Sequence, residues 1–191
     1  MSTYNYLGLV NDVLGRINET PLTSSTLASA QGVYSVVKEG VNSSIRAINQ
    51  QEFNWPFNFV EAVQTLTPGT LRYPYLATAK TVDFNVFRIK RNDTFGNVTT
   101  HLDQMDYEEY ISKYVDDEYN TDTGIRATPL RIIRTPNREF VVYPSPDKAY
   151  ELVYEYYSLP VDLDLHSDVP SLPIAFRHII VEGATVPVFN F

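Results

Sequence analysis

The residues best equipped to do chemistry in this chain are carboxylates. Asp103, Asp106, Glu108, Glu109, Asp116, Asp117, Glu118 and Asp122 crowd one stretch, and grouped oxygen ligands can hold a cation. A calcium loop of the EF-hand type needs oxygen at its first, third and fifth positions, glycine at the sixth and glutamate at the twelfth. Counted from Glu118, Asn120 and Asp122 fit, but the sixth position is Thr123 and the twelfth is Pro129. The stretch therefore reads as a solvated acidic face, with a weak ion site as the alternative. The histidines His101, His166 and His178 are far apart and form neither an HExxH motif nor an i, i+4 pair, so they read as surface or structural residues. There is no cysteine, which removes disulfides, thiolate chemistry and cysteine-based zinc sites. No GxSxG elbow, Walker loop or GxGxxG is present. Acid–base work by carboxylates that meet only in space is the catalytic option left. No catalytic, cofactor-binding or metal residue is assigned. A small hydrolase acting on nucleotide or cell wall stands as the enzymatic alternative.

Basic and aromatic side chains point instead to contacts between macromolecules. Arg88, Lys90 and Arg91 form one basic knot, and Arg126, Arg131, Arg134 and Arg138 form another. Strand alternation would put Arg126, Arg134 and Arg138 near a sheet edge, where charge discourages unwanted pairing. An electrostatic seam against an acidic neighbouring subunit is the second option, and contact with DNA the third. The chain uses 14 tyrosines against one tryptophan. Tyrosine buries area at little entropic cost and keeps a polar tip, so it is enriched at interfaces. Tyr73, Tyr75 and Tyr119 are candidates for that use, beside the plain alternative of sheet packing. Phe189 and Phe191, at the end of the sequence, complete the list of candidate contact residues.

The 191 residues, 43% hydrophobic and 13% aromatic, can build a real core. No apolar run approaches the roughly 20 residues that span a bilayer, and MSTYNYLGLVND lacks the basic and apolar regions of a signal peptide. The sequons at Asn18, Asn42, Asn92 and Asn97 are then chance matches, and a cytoplasmic or virion protein is expected. The net charge of −8 disfavours tight wrapping of nucleic acid, which needs clustered Lys and Arg. It suits a surface past which DNA slides without sticking.

The elements that must position these residues follow from periodicity. Tyr6, Leu9, Val10, Val13, Leu14 and Ile17 have helical spacing over 4–18, and Thr20-Pro21 ends that helix. Thr23, Ser24, Ser25 and Thr26 are expected to cap the next one, with Ala28 and Ala30 packed near its start. That helix carries Val33, Tyr34, Val37, Val41, Ile45 and Ile48 on one stripe, mildly broken by Gly32 and Gly40. After Glu52 the period changes. Pro68-Gly69 marks a turn. Val82, Phe84 and Val86 alternate as in a strand, and the phase then shifts to Phe87 and Ile89, which predicts a bulge near Val86-Phe87. Asn92-Asp93 and Gly96-Asn97 mark a loop, 106–115 a short helix, and DDEYNTDTG an exposed loop. A three-stranded meander is expected from 130–134, 139–143 and 150–157, with turns at 135–138 and 144–147. Pro173 opens a last helix with Phe176, Ile179, Ile180 and Ala184 on its buried face. Three apolar helical stripes from the two ends of the chain need a common partner. The expected fold is α+β: a helical bundle from residues 1–51 and 172–191, with a mainly antiparallel β region, 52–171, inserted between them.

Three segments resemble one family. LVNDVLGRINETPLTSSTLASAQG, residues 9–32, is similar to an opening helix, a Pro turn and a Ser/Thr/Ala-rich entry to a long helix. FNWPFNFVEA, residues 53–62, resembles the Trp-x-Phe-Asn stretch that ends that helix, here Trp55, Phe57 and Asn58. From Tyr156 onward come Pro160, Leu163, Asp168, Pro170, Leu172-Pro173 and a helix reading FRHIIVEGA. In order and spacing these resemble the head-to-tail adaptors of short-tailed phages, the tail tubular protein A family. The resemblance implies a virion structural protein that assembles as a twelve-subunit ring under the portal protein, extends the DNA channel and seats the tail nozzle protein, to which tail fibres also attach. DNA would pass without sequence-specific binding. A head-completion connector of a long-tailed phage is the neighbouring alternative. Family members continue the last helix into a tail that docks on the portal. Here Gly183 and Pro187 are expected to interrupt that helix, and the sequence stops at Phe191.

Overall fold

The structure, a computed structural model, describes residues 4–52, 54–93, 96–119 and 124–189, the side chains of 91–93, 96 and 97 excepted. In chain order the elements are α1 (Tyr6–Arg16), α2 (Val33–Gln51), a 3-10 turn (Pro56–Asn58), β1 (Phe59–Leu66), β2 (Arg72–Pro74), β3 (Ala79–Val82), β4 (Arg88–Asp93), β5 (Gly96–His101) and β6 (Asp103–Met105). There follow α3 (Tyr107–Lys113), α4 (Asp116–Tyr119), β7 (Arg126–Ala127), β8 (Arg131–Arg134), β9 (Glu139–Tyr143), β10 (Ser145–Pro146), β11 (Tyr150–Ser158), a second 3-10 turn (Ile174–Phe176) and α5 (His178–Phe189). The fold is α+β. It divides into two compact units, Met1–Asn58 with Leu159–Phe191, and Phe59–Ser158.

In the first, helical unit, α1, α2 and α5 share one aliphatic core that includes Leu9, Val13, Leu14, Val37, Val41 and Ile180. Asn5 caps α1, its side chain accepting a bond from the Gly8 amide. The expected hydroxyl cap of α2 is not there. Thr23 and Thr26 instead bond to each other and close their own turn. The helix begins only at Val33, behind Gly32, whose φ of 64° suits glycine, and Ala28 and Ala30 lie outside it. Short polar side chains compete with a helix by bonding the nearby backbone, and here the competitor wins. In α5 the chain runs helical through both Gly183 and Pro187. Its buried face is Ile180, Val181, Ala184, Thr185 and Val188, while Phe176 and Ile179 are exposed. The sequence is apolar on nearly every side here, so periodicity could not choose the face.

In the sheet unit, the larger sheet has the order β1-β11-β4-β5, with β3 also paired to β11. β4 pairs with Glu151–Val153 and β3 with Tyr156–Ser158, so β3 and β4 follow one another along the same edge of β11. The phase change between Phe84 and Phe87 is therefore a turn at Phe84-Asn85 between two short strands, not a bulge. Asn92-Asp93 and Gly96-Asn97 belong to the paired arms of the β4–β5 hairpin. The smaller sheet has the order β2-β9-β8-β6, with β6 and β8 parallel. The expected meander is corrected: β8 and β9 pair, but β11 lies in the other sheet. Aromatic side chains fill the main core of this unit. Phe87 stacks on Tyr154 at 4.7 Å, and Phe140 meets both edge-on.

Candidate interaction surfaces

The residues that carry the sequence resemblance are internal fasteners of the helical unit. Trp55 Nε1 donates to the Ile48 carbonyl at the end of α2, and its ring stacks on Phe57. Asn58 is buried; its Nδ2 donates to Asn49 Oδ1, and its Oδ1 accepts from the Ser171 hydroxyl at 2.9 Å. Buried Asn42 on α2 bonds both backbone groups of Leu163, donating to its carbonyl and accepting from its amide at 3.0 Å. The Asp168 carboxylate accepts from the amides of Asp164 and Leu165, which holds it below the usual carboxylate range. The Arg177 guanidinium donates to the carbonyls of Leu172, Tyr4 and Pro170. A long irregular segment must satisfy its backbone somehow; Asn42, Asp168 and Arg177 do part of it for 159–176, and the amides of Tyr6 and Leu7 donate to the Asp168 and His166 carbonyls.

Glycine lets α2 and α5 come close. A Cβ at Gly40 would lie 3.0 Å from the Ala184 carbonyl, and one at Gly183 would overlap Ser44 Oγ and sit 3.2 Å from Ser44 Cβ. A groove of 540 Å³ runs beside this contact, with Ser43, Ser44 and Gly183 among the small residues lining it and Ile48, Ile179 and Val186 among the apolar ones.

The residues singled out from sequence scatter. Tyr73 is only 6% exposed and belongs to the core, with its hydroxyl 3.1 Å from the carbonyls of both Thr67 and Thr70, between which it shares its one proton. Tyr75 is half-buried against Phe84 and Phe140, whereas Tyr119 is 78% exposed. Arg88 is engaged within the chain, by Glu61 at 2.6 Å and Glu155 at 2.7 Å. Lys90 stands opposite Glu151 and is exposed. Arg91 is on β4 with its side chain outside the described residues. Arg134 is not at an edge: β8 is an interior strand, and the guanidinium lies 6.0 Å from the Phe84 ring centroid. Arg138 sits in the β8–β9 turn with φ 58° and donates to the Ala79 carbonyl. Arg126, on two-residue β7, packs against the Pro68-Gly69 turn. Phe189 is 71% exposed, and Phe191 lies outside the described residues.

The acidic stretch is partly spent on structure as well. Glu118 pairs with Arg72, the Tyr143 hydroxyl donates to Asp117, and Lys113 donates to Glu109. DDEYNTDTG is accordingly not all loop, since α4 occupies its first part; Asn120, Asp122 and Thr123 lie outside the described residues. Burial and Asp117 push the Tyr143 phenol up to about 12, and burial does the same to Tyr154. Both stay protonated at neutral pH. Among the described residues no group of three or more His, Asp or Glu side chains could hold a metal, and no helix is long and apolar enough to cross a membrane.

A family model described as SU10 adaptor protein matches residues 4–191. The chain belongs to the SU10 adaptor protein family. This is a phage adaptor family, structural in character. No curated protein matches the chain. What an SU10 adaptor needs is surface for other virion proteins, and the surface that sequence reasoning missed is the pair of sheet edges. β1 and β5 end the larger sheet, and no other strand pairs with either among the described residues. The signal was there in part: FVEAVQTL and GNVTTH carry one carboxylate between them and neither lysine nor proline. Which strands become edges, however, is decided by nonlocal pairing.

Proposed function

We propose that the protein is the adaptor of a short-tailed phage virion, of the tail tubular protein A kind, forming a ring between the portal protein and the tail nozzle protein. The observation that carries this reading is the family match over residues 4–191. Several features agree with it. The common core of α1, α2 and α5 is read as a helical bundle of the kind that the ring would be built on. The net charge of −8 suits a channel that DNA passes without being held. Arg72, Arg88, Lys113, Arg138 and Arg177 are engaged by partners within the chain, which leaves them less free to grip phosphate. A ring needs a heterologous interface that closes by rotation, and twelve copies are the number proposed. Tyr119, Lys90 and Phe189, all exposed, remain candidates for contact with the portal, the nozzle, fibres or a neighbouring copy.

The test is the mass of the purified chain, alone and mixed with portal protein, by sedimentation or native mass spectrometry. A ring-sized species, free or portal-dependent, is expected. A chain that stays monomeric in both mixtures and turns over a small molecule overturns the assignment. A reconstruction of the particle with the chain between portal and nozzle separates it from a head-completion connector.

A further inference from the structure

Besides the four-residue β3, which pairs only with β11, the larger sheet presents two longer free edges, β1 and β5. Its order β1-β11-β4-β5 is antiparallel at every step. With four strands across, β5 runs opposite to β1. A second copy placed edge to edge therefore continues the alternation without a break, its β1 antiparallel to the first copy's β5.

Neither edge carries proline, lysine or a bulge, and neither is very short, which are among the devices that block such pairing. β1 is eight residues long and β5 six. The one charge on β1, Glu61, is engaged by Arg88 on the sheet face. On β5, Val98, Thr99 and Thr100 are β-branched, which favours extended pairing. Val63 is 54% and Val98 41% exposed. The smaller sheet of the same unit makes the contrast. Its edge strands β2 and β6 have three residues each, and they carry Pro74 and Asp103. One sheet has guarded edges and the other has open ones, so openness is not a general carelessness of this sequence.

We propose that β1 of one copy pairs antiparallel with β5 of the next, joining the larger sheets of neighbouring copies into one continuous sheet. The occupant is a second copy of this chain because both complementary edges are on the same molecule. A contact between two different surfaces is also the kind that can close into a ring. The inference deepens the ring assignment and rests on it.

The absence of cysteine makes the test free of background. The in-register rows Val63–Val153–Arg88–His101 and Thr65–Glu151–Lys90–Thr99 place Val63 and Thr99 on the same sheet face. Single variants Val63→Cys and Thr99→Cys, mixed and treated with a short bis-maleimide, should give several-fold more cross-linked dimer than either variant alone. The reaction is run on the assembled ring where sedimentation detects one, and otherwise at the highest soluble concentration. Cross-links that are mainly Val63 to Val63 overturn the proposal, because they report a two-fold β1–β1 pair. So does a yield no greater than that of exposed Ser24→Cys. The double variant Val63→Lys/Thr99→Lys sets like charges across the joint and should keep its thermal melt while losing the assembled species. A ring that forms without β1–β5 cross-links overturns the edge pairing alone. A chain with neither ring nor cross-link counts against the ring assignment too.

Discussion

The two units hold themselves together with different materials. The helical unit has an aliphatic core, and its long segment 159–176 has no regular element but one 3-10 turn. A handful of polar side chains fix that segment: Asn42, Asp168 and Arg177 bond its backbone at Leu163, at Asp164 and Leu165, and at Pro170 and Leu172, and the Ser171 hydroxyl donates to the Asn58 side chain. The sheet unit has an aromatic core shared among many rings, and its strands satisfy one another's backbone by pairing. Position in the first rests on a few directional bonds. Position in the second rests on summed packing, which is nondirectional and spread over many neighbours. The same number of atoms removed should therefore act differently in the two units: locally in one, globally in the other.

The largest effect should come from the aromatic core. Phe140 is fully buried and its ring neighbours those of Tyr73, Tyr75, Phe87 and Tyr154. Phe140→Ala should cost about 4 kcal/mol, read as a lowered denaturant midpoint, with amide protection falling across both sheets together. A loss confined to β9 and its immediate partners would mean that the sheet unit is not held as a whole.

A smaller and more local effect is expected at Asn42. Asn42→Ala strips two hydrogen bonds from the Leu163 backbone, and a buried polar group left unpaired costs about 1–3 kcal/mol. Hydrogen exchange should show the 163–168 amides opening while the protection of β11 and β4 is unchanged. Equal loss in both units would erase the proposed distinction between them.

These expectations follow the line between what the sequence exposed and what it hid. The stripe of α1 was legible because Tyr6, Leu9, Val10, Val13 and Leu14 all face the core, and local periodicity suffices where one face is polar. Pro68-Gly69 was legible for a similar reason: Gly69 has φ 77°, a conformation that only glycine adopts freely. The α+β class and the family's motifs were equally local. Apart from the α2 cap, lost to a local Thr23–Thr26 turn, the main misreadings were nonlocal. Whether Tyr73 faces solvent or core depends on β2 joining β9. Whether β11 continues a meander depends on β1, from the far end of the unit. The roles of Asn42 and Gly183 also depend on partners distant in sequence, and neither residue type announces such a partner. The candidate contact residues were chosen by type alone, and type does not say which charges an adjacent strand has already neutralised, as at Arg88.

The smallest effect expected is a pH dependence within the helical unit, and it sharpens the contrast because the aromatic core has nothing that titrates in acid. The Asp168 carboxylate is held below its ordinary value by the amides of Asp164 and Leu165. A folded-state pKa below the unfolded one means that the stabilisation is fully present above about pH 4, the ordinary carboxylate value. It is lost as pH falls through the depressed folded value, because the protonated acid is a poorer acceptor and folding then no longer favours proton release. Protection factors of the Asp164 and Leu165 amides should therefore drop below pH 4, normalised for intrinsic exchange, while those of β8 and β9 stay level. Asp168→Asn keeps an acceptor oxygen but cannot titrate, so it should show weaker protection at neutral pH and no fall in acid. If the acid-induced drop survived in Asp168→Asn, the carboxylate would not be what ties this loop, and the segment would have to be held by its neighbours' packing, as in the sheet unit.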